Sequence, residues 1–278
     1  SYQLERTHSL KANAAVFLNL TPDHLERHGD MANYEAVKCR IFDNQTKADA
    51  AVIGVDGPEG KKICSRLIAK NGRNTVPISG HRSLGRGVSV IKGKLYNMMG
   101  KKSELIADLQ RADNLDGQHN WQNAAAAFAA VHALGIDGKA IGKAILSFPG
   151  LVHRMENIGK AGAVKYVNDS KATNADAAMQ ALKAYDNIYW IAGGVPKDGG
   201  IDSLGPYFKN IKRAYLIGDA AQDFEVTLKT GRVPCKNSRE LRMAILCATK
   251  DALASKDPNP VVLLSPACAS FDQFKDYE

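Results

Sequence analysis

The stretch VKYVNDSKATNADAAMQAL, residues 164–182, decides the fold predicted for the second half of the chain. Its apolar start, Val164 to Val167, predicts a buried strand. Asn174 is a favoured helix-capping residue, and the apolar residues that follow it are spaced as on one face of a helix. Polar residues fill the link between strand and helix, where Asp169, Lys171 and Thr173 alternate. If that link is extended, these three side chains project to one side.

Three further apolar segments repeat this pattern downstream: NIYWIAGG, RAYLIGD and PVVLLSPA. Each ends in glycine or polar residues. Helical patterns alternate with the strands, at 174–184, 219–229 and 238–255. Strands that alternate with helices predict βαβ units and a mainly parallel sheet. Because ligands bind beyond the carboxyl ends of the strands in such sheets, the polar strand ends predict a site.

The first half of the chain mixes strands and helices less regularly. Strands are predicted at 14–20 and 48–57, a hairpin within 75–112, and helices at 31–45, 116–135 and 137–148. The succession of predicted strands and helices changes at Pro149 and Gly150, which end the last of these helices. We therefore predict an α/β protein with one domain over residues 1–149 and a second over residues 150–278.

Composition excludes several classes of protein. The 278 residues are 45% hydrophobic and 24% charged, which is typical of a globular chain. The net charge is +8, but the basic residues are dispersed, so an anionic small substrate fits at least as well as nucleic acid. Five cysteines without C-x-x-C spacing favour a reducing, cytoplasmic setting. No apolar run approaches the roughly 20 residues of a membrane span, and no signal peptide opens the chain. We expect neither a nucleic-acid nor a membrane partner.

Four residues of the first half are candidates for chemistry, each with a simpler alternative. His24 follows Pro-Asp at a strand-to-helix turn, where helix capping explains its neighbours but not the imidazole. Lys38 lies in an amphipathic helix, and a solvated lysine is the simpler interpretation. Asn120 and Asn123 lie three residues apart on one helix face and suit a nucleobase or sugar edge, although Asn120 could instead cap the helix.

The second half offers candidates at its strand ends. Arg154 in HRME suits a phosphate contact, or is an ordinary surface arginine. The helix that begins near Asn174 offers free N–H groups to an anion, although a capped helix with scattered polar residues is the alternative. Lys197 lies in GGVPKDGG, which is either a loop that approaches a ligand closely or only a flexible one. Ser270 follows small residues and can donate a hydrogen bond. Cys268 has no histidine near it in sequence and is a weak candidate nucleophile.

Several motifs occur together in the order of one known family. LNLTPDHLERHG, YEAVK, HNWQNAAAA, HRME, NDSKATN and SPACASFDQF resemble the Mur ligases of peptidoglycan synthesis, across essentially the whole chain. The first and last motifs, SYQLE and SPACASFDQFKDYE, resemble the D-glutamate-adding branch of that family. Its sister ligases and the folylpolyglutamate synthases share the Asp-His, His-Asn and Arg elements, but not the closing motif.

The resemblance implies a fold and a reaction. The expected fold is part of a central ATPase-type domain, followed by a Rossmann-like C-terminal domain with a mainly parallel sheet. In the expected reaction, ATP phosphorylates the carboxylate of UDP-N-acetylmuramoyl-L-alanine, and the amine of D-glutamate attacks the acyl phosphate to form an amide. ATP and Mg2+ are the implied cofactors, and a cytoplasmic monomer is the expected form.

The resemblance also implies roles for single residues of the first half and of the domain junction. Lys38 resembles the lysine that CO2 converts to a carbamate, an oxygen ligand for Mg2+. His24 resembles the ligand of a second metal ion. Nucleotide contacts are implied for Asn120, Asn123, Arg154 and Asp169, with Arg154 on phosphate and Asp169 on ribose.

The implied contacts to D-glutamate, or to the phosphate near it, lie in the second half. They are Lys171, Thr173, Lys197 and Ser270, and Lys171 is also implied in catalysis. Tyr277 stands where the D-glutamate-adding branch usually has phenylalanine. The side chain at this position is therefore still aromatic, although the residue type differs.

Parts of the family pattern fall outside residues 1–278. The P-loop pattern G-x-x-x-x-G-K-[ST] is absent from the sequence, and a UDP-binding domain, a metal-binding glutamate and a C-terminal end are also expected elsewhere. We therefore expect a chain truncated at both ends, without ligase activity of its own. Two alternatives are a non-catalytic module that binds a nucleotide or D-glutamate, and a folylpolyglutamate synthase-like ligase.

Overall fold

A computed structural model describes residues 1–21, 25–196 and 199–275. The chain divides into two compact units, Ser1–Phe148 and Pro149–Glu278, here called unit 1 and unit 2. Across the described ranges, no helix has the length and apolar character needed to cross a membrane.

Unit 1 is built on one mixed sheet. Its strands are β1 (Ala14–Phe17), β2 (Ala50–Gly54), β3 (Asn74–Ser79), β4 (Val88–Ile91), β5 (Lys94–Asn97) and β6 (Glu104–Asp108). The strands lie in the order β1-β2-β3-β4-β5-β6, parallel from β1 to β4 and antiparallel from β4 to β6. The helices are α1 (Tyr2–Glu5), α2 (Leu25–His28), α3 (Met31–Cys39), α4 (Pro58–Lys70), α5 (Gln118–Ala133) and α6 (Gly138–Leu146).

Strand β2 is buried on both faces because helices cover both sides of this sheet. Val52 packs into the cluster that contains α5 and α6. Its neighbours Ala51 and Ile53 point the other way, into a cluster with Ile63 and Leu67 of α4. Successive side chains of a strand point to opposite faces, so a strand between two layers reads as a continuous apolar run.

Unit 2 has a second sheet, parallel except at one edge. Its strands are β7 (Glu156–Ala161), β8 (Val164–Asn168), β9 (Ile188–Gly193), β10 (Ile211–Ile217), β11 (Cys235–Arg239) and β12 (Val261–Leu264), in the order β11-β10-β9-β12-β8-β7. Only the pairing of β7 with β8 is antiparallel among these described strands. The helices are α7 (Ala175–Ala184), α8 (Ala221–Thr230) and α9 (Leu241–Ala254).

The two faces of this sheet are also both covered. Trp190 and Leu263 pack against α7 and α8, whereas Tyr189 and Tyr215 pack against alanines of α9. The sheet thus has helices on both sides, which is the doubly wound arrangement. The predicted α/β class is confirmed, and so is the mainly parallel sheet of the second half.

Most elements predicted from the sequence are present. The helix predicted over 116–135 is α5, and the predicted helices of the second half are α7, α8 and α9. The elements that were not predicted include α4, β7 and β11. The last two are edge strands with mostly polar or half-exposed residues, so they carry no apolar run by which to recognise them.

Candidate functional site

The carboxyl ends of the strands in unit 2 meet at one edge of the sheet, as the sequence predicted. The backbone N–H of Asp169, just after β8, donates to the carbonyl of Leu264 in β12 at 2.7 Å. Beyond β12, the N–H of Ala267 donates to the carbonyl of Ala172 at 2.8 Å. Residues that follow β8 and β12 therefore lie against each other, and Ser270 follows on the same segment.

Asp169 is the most buried acid at this edge, with 6% of its surface exposed. Its Oδ1 accepts from the backbone N–H of Met155 at 3.1 Å, and its Oδ2 accepts from the hydroxyl of Ser265 at 2.8 Å. Burial raises the pKa of Asp169 to about 6. The hydrogen bonds from Ser265 and Met155 and the positive charge of Arg154 oppose that rise, because each favours the ionised carboxyl group.

Asp169 also holds the loop that carries Arg154. His153 and Met155, on either side of Arg154, have φ of 65° and 49°, in the left-handed region that side chains disfavour. The N–H of Met155 is held by Asp169, and the N–H of His153 donates to Oε2 of Glu156 at 2.8 Å. These carboxylates stabilise an unusual backbone conformation and leave the arginine side chain exposed.

The link after β8 is not extended, so the expectation that its side chains share one face is wrong. The N–H of Ser170 donates to Oδ1 of Asn168 at 3.1 Å, and the N–H of Ala172 donates to the carbonyl of Asp169 at 2.9 Å. An asparagine that bonds the backbone two residues on starts a turn. As a result Asp169 is buried, Lys171 is exposed and Thr173 is half-buried.

Helix α7 begins as predicted. The Oδ1 of Asn174 accepts from the N–H of Ala177 at 2.8 Å, which is the geometry of a helix cap. Asn174 is exposed, and Lys171 and Thr173 precede it. The structure therefore places two candidate side chains next to the amino end of a ten-residue helix.

The GG pair at the end of β9 is required by close packing, not only by flexibility. Gly193 and Gly194 have φ of 125° and 130°. A Cβ at these positions would lie 2.0 Å from the carbonyl oxygen of Ile217 and 2.3 Å from that of Ala269. Lys197 follows three residues later, and both Lys197 and Tyr277 lie outside the described residues.

In unit 1, Lys38 lies in the last turn of α3 and is half-buried. Its Nζ lies 4.9 Å from the ring centre of Tyr34 and 5.7 Å from that of Phe17. Tyr34 is itself buried and stacks on His28 at 5.1 Å between ring centres. The lysine is therefore held over two aromatic rings, a more specific placement than a solvated surface lysine has.

A magnesium site is not formed by the described side chains alone. The described ranges contain no group of three or more His, Cys, Asp or Glu side chains arranged to hold a metal ion. An unmodified Lys38 is a cation and cannot bind one, whereas a carbamate on Lys38 has the oxygen donors that Mg2+ prefers. His24, the other candidate metal ligand, lies outside the described residues.

Asn120 and Asn123 lie next to each other on α5. The Nδ2 of Asn123 is 3.5 Å from the Oδ1 of Asn120, and the Nδ2 of Asn120 donates to the carbonyl of Asp116 at 2.9 Å. The capping position of this helix belongs to Gly117, so capping does not account for Asn120. Asn123 is exposed and presents an amide to solvent.

A hydrogen-bonded acid that was not predicted from the sequence fixes the start of α5. Asp56, two residues beyond β2, accepts through Oδ2 from the N–H of Gly80 at 2.8 Å and from Nε2 of Gln122 at 3.0 Å. Its Oδ1 accepts from the hydroxyl of Ser79 at 2.5 Å. The sequence shows that Asp56 follows a buried strand, which marks it as a possible site residue. It does not show that Asp56 bonds to Gln122, because the two residues are 66 positions apart. Asp56 thus ties the ends of β2 and β3 to the helix that carries the two asparagines.

Two family comparisons together cover most of the sequence. The Mur ligase middle domain matches residues 1–131, and the Mur ligase, glutamate ligase domain, matches residues 153–268. A UDP-N-acetylmuramoylalanine–D-glutamate ligase from Caulobacter sp. (strain K31) is 54% identical over all 278 residues. The chain belongs to the Mur ligase family.

A second curated relative of this Mur ligase chain has the same name. The UDP-N-acetylmuramoylalanine–D-glutamate ligase from Rhodospirillum rubrum is 50% identical over 279 aligned residues. The chain is covered completely in both comparisons, but it spans only 59% of the Caulobacter protein and 58% of the Rhodospirillum protein.

Solved structures of Mur ligases and their relatives share the fold. MurF from Acinetobacter baumannii matches 95% of this chain and 58% of its own, with a TM-score of 0.64 and 17% identity. Folylpolyglutamate synthase from Mycobacterium tuberculosis, solved with ADP and AMPPCP, matches 92% of this chain and 62% of its own, with a TM-score of 0.61 and 19% identity. At these identities the likeness concerns the fold alone.

Proposed function

We propose that this chain supplies the middle and C-terminal parts of a ligase that joins D-glutamate to UDP-N-acetylmuramoyl-L-alanine in peptidoglycan precursor synthesis. The observation that carries the proposal is the identity of 54% to the Caulobacter ligase of that name, sustained over the whole chain. The placement of polar groups at the carboxyl edge of the unit 2 sheet supports it, since ligands bind at such edges.

The proposed chemistry has two steps. A carboxylate oxygen of UDP-N-acetylmuramoyl-L-alanine attacks the γ-phosphorus of ATP, and ADP leaves. The amine nitrogen of D-glutamate then attacks the acyl carbon, inorganic phosphate leaves with the former carboxylate oxygen, and the nitrogen loses a proton. A carboxylate is a poor electrophile until it carries a good leaving group. The protein's contribution is therefore to position the reactants and to neutralise phosphate charge.

In unit 1 we assign nucleotide contacts to Asn120 and Asn123, whose neighbouring amides supply both donors and acceptors. We assign Lys38, as a carbamate, to Mg2+, together with His24. The bound metal ion would neutralise phosphate charge. The contacts with Tyr34 and Phe17 are those of the unmodified ammonium group, and a carbamate, being an anion, would not keep its attraction to the ring faces.

In unit 2 we assign Arg154 to a nucleotide phosphate and Asp169 to ribose. An ionised carboxylate has about four lone-pair positions, and the protein uses two of them on Asp169, so a hydroxyl donor can still be accepted. Contacts to D-glutamate, or to the phosphate near it, are assigned to Lys171, Thr173, Lys197, Ser270 and Tyr277. Two ammonium groups and two hydroxyls suit a dicarboxylate.

We further propose that the protein works as a monomer in the cytoplasm, with small-molecule substrates and without a nucleic-acid or membrane partner. A reducing compartment fits the cysteines. All five lie within the described ranges, and none of them forms a disulfide.

Calorimetry with the purified chain tests the choice of amino acid. We expect D-glutamate to bind more tightly than L-glutamate. A folylpolyglutamate synthase-like ligase should prefer L-glutamate, so that result would contradict the proposal. The Ser270→Ala variant tests the location: it should weaken D-glutamate binding, whereas Ser147→Ala, at the end of α6 in unit 1, should not.

The role of Lys38 needs an active enzyme. A chimera in which residues 1–278 replace the matching segment of the Caulobacter relative adds the parts of that relative that lie outside the match. Lys38→Ala in this chimera should abolish amide formation, and short carboxylates should restore part of it by standing in for the carbamate. Lys47→Ala is the matched control for loss of a lysine. A normal rate without added carboxylate would remove Lys38 from the mechanism.

A further inference from the structure

A cavity of about 430 Å³ lies in unit 1 between α3 and α4. It is lined by Ala32, Glu35, Ala36, Cys39, Asp43, Arg66, Leu67, Lys70 and Arg73. At about 30 Å³ for each water molecule, the cavity has room for a small metabolite.

The cavity exists because α3 presents small side chains to α4. Ala32 and Ala36 lie one turn apart on α3, and buried Leu67 of α4 lines the same cavity. Arg66 of α4 forms an ion pair with Glu35 of α3, with 2.7 Å between Nη1 and Oε1, and both residues line the cavity. The two helices are thus bridged by an ion pair across an open groove.

Lys38 does not face this cavity. On α3, residues 32, 35, 36 and 39 form one stripe at helical spacing, and residues 34 and 38 form another. The ammonium of Lys38 lies against Tyr34 and Phe17, neither of which lines the cavity.

Three cationic side chains line the cavity, and two of them have no hydrogen-bond or ion-pair partner among the described residues. Arg66 is held by Glu35 and also lies 3.5 Å from the sulfur of Cys39. The side chains of Lys70 and Arg73 form no hydrogen bond or ion pair with any described residue, and the Nε of Arg73 is buried without an acceptor. A buried N–H without an acceptor is unfavourable and calls for a ligand or water. With Glu35 and Asp43 included, the cavity carries three positive and two negative charges, so its net charge is positive.

We propose that this cavity is a binding site for a small oxyanion, the phosphate or carboxylate group of a metabolite, held by Lys70 and Arg73. An arginine fork binds two oxygens of such a group at once, and the lysine adds a second charge. The apolar floor made by Leu67, Ala32 and Ala36 accommodates the carbon skeleton of the ligand. The site is separate from the proposed ligase residues, so it does not depend on the proposed function.

Titration of the whole 278-residue chain with inorganic phosphate, followed by amide NMR shifts, tests the site. Shifts should cluster on α3, α4 and Arg73. Arg73→Gln should weaken binding about ten-fold or more, the loss expected for one charge-assisted hydrogen bond. Lys62→Gln is the matched control, because Lys62 lies on the exposed side of α4 and pairs only with Glu59 among the described residues.

Two further measurements separate an oxyanion site from a general effect of charge. Glu35→Gln releases Arg66 and should strengthen phosphate binding, which loss of structure cannot do. Cys39 lines the cavity, so phosphate should slow its alkylation by a neutral reagent without slowing that of Cys247 in unit 2. Glutarate in place of phosphate shows which oxyanion the site prefers. Phosphate and glutarate binding that survives in Arg73→Gln, or no binding of either to the unmodified chain, would overturn the proposal.

Discussion

Asp169 is a buried acid whose pKa differs between the folded and unfolded chain. Burial raises that pKa from 3.8 to about 6 in the folded protein. The folded state therefore binds this proton more tightly, so the contribution of Asp169 to the free energy of unfolding should fall as the pH rises from about 4 to about 6. The shift corresponds to a loss of up to about 3 kcal/mol over that interval.

Asp169→Asn should remove this dependence, because an amide does not titrate. We expect the free energy of unfolding of the unmodified chain, measured in urea, to fall relative to that of the variant between pH 4 and pH 6. Asp176→Asn, an exposed position on α7, should leave the pH dependence unchanged. Parallel curves for the Asp169→Asn variant and the unmodified chain would contradict the assignment.

Ser265 is a positioning residue for Asp169. Its hydroxyl donates to Oδ2 of Asp169, while its carbonyl separately accepts from the indole N–H of buried Trp190 at 2.8 Å. Ser265→Ala removes only the first bond. At pH 7 it should lower the free energy of unfolding by about 1.5–3 kcal/mol, the usual value for a hydrogen bond to a charged group. It should also raise the pKa of Asp169 above about 6, which NMR titration of the carboxyl carbon measures; an unchanged pKa would contradict the role.

At the scale of elements, the start of α5 is placed by close contact with glycine. A Cβ on Gly80 would lie 2.4 Å from the carbonyl oxygen of Gln118 and 2.9 Å from the backbone nitrogen of Gln122. Both atoms belong to the helix backbone and cannot move alone. Asn120 lies between them, so the packing of Gly80 sets the position of the predicted nucleotide contacts.

Gly80→Ala should therefore destabilise unit 1 by about 1–3 kcal/mol, the usual cost of overpacking. Gly85→Ala is the control, since a Cβ at residue 85 would have no neighbouring atom within 4 Å among the described residues. Urea unfolding of the two variants and the unmodified chain measures the difference. Equal stabilities for the two variants would show that α5 shifts without cost.

Local patterns predicted some elements and missed others for physical reasons. The buried strands β9 and β12 are apolar runs and α5 is rich in alanine. Each of these patterns can be recognised within a short segment of the sequence. The polar edge strands β7 and β11 are defined by their partners, which lie elsewhere in the sequence.

In the candidate site, too, contacts between residues close in sequence could be predicted, and contacts between distant residues could not. The cap on α7 and the contact between Asn120 and Asn123 are local and were readable from spacing. The bond from Ser265 to Asp169 joins residues 96 positions apart, and no local pattern contains it. The roles of Lys38 and His24 came from resemblance to a family, because a single lysine or histidine in a sequence is uninformative by itself.

At the scale of the whole molecule, the 278 residues include no P-loop sequence. A P-loop holds the phosphates of ATP through backbone N–H groups and a lysine, and we expect phosphoryl transfer to fail without one. The purified chain, given ATP, UDP-N-acetylmuramoyl-L-alanine and D-glutamate, should release no phosphate above background. Turnover by this chain alone would contradict that expectation.

The same assay on the chimera with the Caulobacter relative tests the central claim most directly. The measurement is phosphate release with each amino acid in turn, together with mass spectrometry of the product. We predict release that requires both UDP-N-acetylmuramoyl-L-alanine and D-glutamate, and a product heavier by one glutamyl residue. A folded chimera that is inactive with D-glutamate, or that uses L-glutamate equally well, would contradict the account.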